Sequence, residues 1–90
     1  MGLFRTMTED REVVAVSAFD AQTAAEERAE QAFNEEPFNR TTVYVEDEDG
    51  EVSAFEVEVE MAPTFDATES DDAVPADVVQ AFKTTRKAGA

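Results

Sequence analysis

Two runs of alternating residues, Thr41 to Asp47 (TTVYVED) and Glu51 to Met61 (EVSAFEVEVEM), flank the dipeptide Asp49-Gly50. Alternation with a period of two marks strands, and Asp-Gly between two such runs marks a hairpin. The apolar pattern also selects the turn. A two-residue loop would set Val43 against Glu56 and Val45 against Ala54. A three-residue loop, Glu48-Asp49-Gly50, sets Val45 against Ser53, Val43 against Phe55 and Thr41 against Val57. That register gathers Val43, Val45, Phe55, Val57, Val59 and Met61 on one face. Tyr44, Val52, Ala54, Glu56, Glu58 and Glu60 fall on the other. A slip of one residue would split the apolar set. The three-residue loop is therefore expected, with Gly50 in the left-handed region.

The rest of the chain is read around this hairpin. Residues 1–10 form an irregular N-terminal leader containing Leu3, Phe4 and Met7. Arg11 to Phe19 (REVVAVSAF) is β-rich and reads as a first strand. Val13, Ala15 and Phe19 lie on one side of it, and Val14, Val16 and Ala18 on the other. A strand with two apolar faces is usually covered on both. Asp20 is a good N-cap for a helix from Ala21 to about Asn34. Ala21, Ala25, Ala29, Ala32 and Phe33 recur on one helical face, while Glu26, Glu27 and Glu30 lie toward solvent. Glu35-Glu36-Pro37 ends that helix. Residues 62–74 (APTFDATESDDAV) read as an extended acidic arm with one large apolar group, Phe65. Pro75 suits the first turn of a second helix. Its apolar stripe is Val78, Val79 and Phe82, and Lys83, Arg86 and Lys87 complement its C-terminal dipole.

The expected architecture is α+β. Residues 11–61 form a βαββ domain whose three-stranded sheet has the order 1-3-2 and one helix packed on it. The arm (62–74) and a C-terminal helix and tail (75–90) follow. Strands one and two run parallel if the crossover is right-handed. This resembles half of a ferredoxin-like fold, a shape that hosts many functions. Val14, Val16, Ala18, Tyr44, Val52 and Ala54 are expected on the second sheet face, under the C-terminal segment or another subunit.

Composition restricts the chemistry. The chain has no Cys and no His. Thiolate nucleophiles, disulfides, the commonest general base and the commonest transition-metal ligand are thus excluded. No phosphate-binding glycine loop is present, and no Ser or Thr has a visible base partner. The run Glu46 to Glu51 concentrates carboxylates, with Asp47, Asp49 and Glu51 as weak candidates for a hard cation. Position 1 of a calcium loop would be Val45, which cannot ligate. An enzyme is not expected, and neither is a cofactor. No run approaches the length of a membrane span.

Asp and Glu number 22 of 90 residues against 7 Lys and Arg, for a net charge of −15. Such charge destabilises the compact state by self-repulsion. At about 1 M salt the screening length falls to about 3 Å and most of that repulsion is lost. Ile is missing, Leu3 is the single leucine, and lysine is confined to Lys83 and Lys87. The composition resembles that of extremely halophilic archaea and their viruses. It implies a cytoplasmic or virion protein of a high-salt environment. Direct nucleic-acid binding is disfavoured, since it needs a basic patch. The leading expectation is a non-enzymatic assembly protein, such as a head, neck or tail accessory component, contacting other subunits. Val14, Val16, Tyr44, Phe65, Val78, Val79, Phe82, Lys83, Arg86 and Lys87 are its candidate contacts. The alternative is a soluble regulatory protein or acidic nucleic-acid mimic that binds a basic protein.

Overall fold

The structure, a computed structural model, describes residues 2–9, 12–59, 64–70 and 74–88, the last four of them by backbone alone. Five strands and two helices follow one another: β1 (Gly2–Met7), β2 (Val13–Ala18), α1 (Ala21–Glu35), β3 (Arg40–Glu46), β4 (Val52–Val59), β5 (Phe65–Glu69) and α2 (Ala76–Ala88). The strands make one sheet of order β2-β1-β3-β4-β5, and every neighbouring pair is antiparallel. This corrects the expected three-stranded sheet of order 1-3-2 with a single packed helix. The leader supplies a strand, the arm supplies another, and both helices pack on the sheet. β2 and β3 do run parallel, since each is antiparallel to β1. The strand that separates them is β1, not the second arm of the hairpin.

The β3–β4 hairpin has the three-residue loop. Val45 faces Ser53, Val43 faces Phe55 and Thr41 faces Val57. Gly50 has φ 84°, a conformation that a β-carbon disfavours. The Gly50 N–H donates to the Asp47 carbonyl at 3.0 Å, and the Asp47 N–H donates to the Glu51 carbonyl at 3.0 Å. The hairpin positions Glu60 and Met61 lie outside the described residues.

α1 covers one face of the sheet. Ala24, Ala25 and Ala29 are fully buried there against Phe4, Val16, Ala18, Val43, Val45, Phe55, Val57 and Ala67. Alanine keeps the helix backbone close to the strands. Burying each of Val43, Val45 and Val57 contributes roughly 2 kcal/mol before entropy is counted. Asp20 caps α1 by accepting the Thr23 N–H at 2.8 Å. Phe33 packs edge-on against both Phe38 and Phe65, each with ring centroids 5.5 Å apart. Arg28 is also buried on this helix. Its guanidinium lies 3.9 Å from Glu12, and its Nε has no hydrogen-bond partner.

α2 covers part of the opposite face. Val78 and Phe82 are fully buried against Met7, with Val13, Tyr44, Val52 and Val74 around them. Val14, Val16 and Ala18 were expected on this face. Val16 and Ala18 lie instead under α1, and Val13 lies toward α2. β2 pairs with β1, whose alternation sets Phe4 under α1 and Met7 under α2. With the leader read as irregular, the facing of β2 could not be derived.

Candidate interaction surface

Arg5 ties α2 to the sheet. Its Nε donates to Glu46 Oε1 at 2.8 Å, and its Nη2 donates to the Phe82 carbonyl oxygen. Its guanidinium carbon also lies 5.5 Å from the Phe82 ring centroid. Glu46 is only 4% exposed, so this pair replaces the water that its carboxylate has lost. The anchor orients Phe82 and fixes which part of the second face α2 hides.

The two sheet edges are treated differently. β5 is latched by α1. Gln22 Nε2 donates to the Ala67 carbonyl at 2.8 Å, and the Ala67 N–H donates to Glu26 Oε2 at 3.2 Å. These side chains occupy the outward-facing backbone groups of β5 at its midpoint. Asp66 and Glu69 add charge to the same strand. An edge closed in this way resists pairing with another chain. β2, at the other end of the sheet, pairs with β1 alone among the described residues. It is also the one described strand without an Asp, Glu, Lys or Arg. In a chain of net charge −15 this is a neutral strip of six residues.

Two exposed large apolar side chains flank the strip. Leu3, 60% exposed, sits on β1 opposite Ser17. Phe19, 79% exposed, follows the last residue of β2. It borders a depression formed with Gly2, Phe4 and the Asp47–Asp49 hairpin tip. Ala15 and Ser17 of β2 are exposed as well. Among the described residues, Leu3, Ala15, Ser17 and Phe19 make an exposed, uncharged margin.

The expected contact residues are divided by the fold. Val16, Val78 and Phe82 are buried inside the chain's own core. They therefore serve packing, and a partner could reach them only by displacing a helix. Phe65 packs on Phe33, so it anchors its segment to the same domain. Val14 and Val79 are half-buried, and Tyr44 is half-buried in the α2 cluster. Lys83 is exposed. The side chains of Arg86 and Lys87 lie outside the described residues. Leu3, Ala15 and Phe19 were not among the expected contacts. The usable signal was the uncharged run Val13 to Phe19 between Glu12 and Asp20.

The acidic clusters have structural work of their own. Asp47 Oδ1 accepts the Asp49 and Glu51 N–H groups, each at 2.9 Å, and so clamps the hairpin turn. No cluster of three or more carboxylates set to hold a metal occurs among the described residues. Glu56 pairs with Arg40 at 2.7 Å, an exposed bridge that holds the Arg40 pKa above its ordinary value. Glu58 faces Asp66 directly across β4 and β5. A depression beside the start of α1 is lined by Asp20, Gln22, Asp66 and Glu69 among others. Among the described residues, no helix is long and apolar enough to cross a membrane. In comparisons with known proteins, the chain matches no family model, no curated protein and no solved structure at a significant level.

Proposed function

We propose that this protein is a non-enzymatic assembly component of a high-salt environment, working through protein–protein contacts. A particle accessory role, in a head, neck or tail, is one form this takes. The observation that carries the reading is the contrast between the sheet edges. α1 spends Gln22 and Glu26 on closing β5, while β2 is uncharged, pairs with β1 alone among the described strands and is flanked by Leu3 and Phe19. Open edge strands normally carry charge, bulges or covers that prevent pairing. The six residues of β2 carry no such charge, which supports a strand that meets another protein in the working state. The acid excess supports the salt-rich setting, since Glu58 opposite Asp66 is a like-charge pair that salt relieves.

A photo-crosslinking residue at Phe19 tests the reading in the cell that naturally makes the protein. A protein adduct, whether to another copy or to a different chain, is the expected result. A chain that forms no protein adduct there overturns it. The same Glu58–Asp66 face favours a second reading, an acidic mimic that occupies a basic protein. Its mark would be a basic adduct captured from a crosslinker at Thr68, the neighbour of Asp66 on β5.

A further inference from the structure

We propose that Arg28 holds a small inorganic anion, a halide, on the paired N–H groups of one guanidinium edge. The inference goes beyond the assembly reading and does not depend on it. Gln22 and Glu26 of α1 hold β5, whereas Arg28 reaches Glu12, the residue before β2, on the other side of the helix. The Arg28 side chain is 5% exposed, and its Nε has no hydrogen-bond partner. Glu12 is its one ion-pair partner among the described residues, with Oε2 3.9 Å from Nη2. That separation is beyond hydrogen-bond reach, and the Glu12 side chain stands 64% exposed in water. The neighbours of Arg28 three and four positions away on α1 are Ala24, Ala25, Gln31 and Ala32, so the helix face supplies no carboxylate. Arg5 and Arg40 differ: each meets a carboxylate at 2.7 Å, Arg40 at the exposed surface. The most deeply buried of the three arginines is thus the one without a close counter-charge.

A guanidinium taken out of water needs both acceptors and a counter-charge, and it is strongly destabilising without them. A water molecule would accept an N–H group but bring no charge. An anion against the Nε–Nη2 edge supplies both at once. It accepts two N–H groups side by side, the geometry in which arginine grips anions. Enclosure selects its size: with so little of the side chain exposed, a monatomic ion is accommodated more readily than phosphate or sulfate. The rest of the chain sets the working range. A net charge of −15 repels anions, so binding is weak in dilute buffer and occupancy grows as salt screens the carboxylates. Glu12 opposes the ion from the Nη2 side, so neutralising Glu12 tightens binding.

Chloride NMR on the purified full chain in KCl tests this directly. The wild-type protein should broaden the chloride line, and added bromide should reverse the broadening by competition. In R28M the broadening should fall several-fold, and in E12Q it should increase. R28K keeps the charge but loses the paired N–H groups, so it should fall between wild type and R28M. Stability gives a second readout. At fixed potassium concentration, exchanging chloride for acetate should lower the melting temperature of the wild type more than that of R28M, since a ligand of the folded state stabilises it. General solvent effects of the two salts act on both chains and cancel in that comparison. Circular dichroism will report whether R28M folds; if it does not, wild type against R28K decides. Equal broadening by wild type, R28M and R28K means an adventitious ion only and overturns the proposal. So do melting temperatures that shift equally on anion exchange. The Phe19 crosslink reads the assembly proposal separately, and neither result bears on the other.

Discussion

Arg5 and Glu46 are 41 residues apart, and neither explains itself in the sequence. Their pairing lets a carboxylate sit almost fully buried on a sheet that also has to hold α2. Removing one partner of a buried pair costs more than removing both. R5M should therefore lower unfolding free energy in urea by about 3 kcal/mol, and R5M/E46M should recover part of that loss. Asp20 gives a pH signature. Its carboxylate accepts the Thr23 backbone N–H and, to a smaller effect, the Thr23 hydroxyl, and these hold its pKa below the ordinary 3.8. The folded form thus holds the proton less tightly than the unfolded chain. Its stabilisation is present above the ordinary value and fades as pH falls through the folded one. D20A should lower the melting temperature at neutral pH. D20N should keep the cap while flattening the acid-side decline in melting temperature.

The hairpin's register and turn were legible because alternation and an Asp-Gly turn admit one register that keeps Val43, Phe55 and Val57 together. β1 and β5 were not. Gly2–Met7 contains Arg5, whose partner lies far along the chain, and Thr6, whose hydroxyl donates to the Val14 carbonyl at 2.8 Å. Phe65–Glu69 alternates, but with only Phe65 and Ala67 as apolar members. Such short strands are defined by their neighbours more than by propensity. The contact margin was partly legible for the same reason: the neutral run was visible, but its facing depended on β1. The β4–β5 pairing offers a direct test of charge at this scale. D66K replaces the acid opposite Glu58 with a base. It should raise stability in dilute buffer by up to about 1 kcal/mol, a gain that disappears in molar KCl. E9K, which changes net charge equally in an exposed loop, should give a smaller gain in a denaturant titration.

For the whole molecule, repulsion among 22 acidic residues is the main long-range force. The melting temperature should rise steeply with KCl and level off once the screening length is shorter than the spacing of surface carboxylates. A salt-independent melt by circular dichroism would remove the halophilic reading. The two faces are also held unequally. The alanine-lined α1 sits tight against all five strands and latches β5 as well, whereas the bulkier α2 stands further off and relies on Val78, Phe82 and the Arg5 anchor. Under mild stress the structure should come apart in sequence rather than at once. F82A should abolish hydrogen-exchange protection along Ala76–Ala88 while amides of α1 and β3–β4 stay slow. What is left is a sheet with one helix and a newly bared greasy patch around Met7, Tyr44 and Val52. The C-terminal helix therefore doubles as a stopper against clumping, and any cut between Glu69 and Ala76 should make the chain precipitate long before it unfolds.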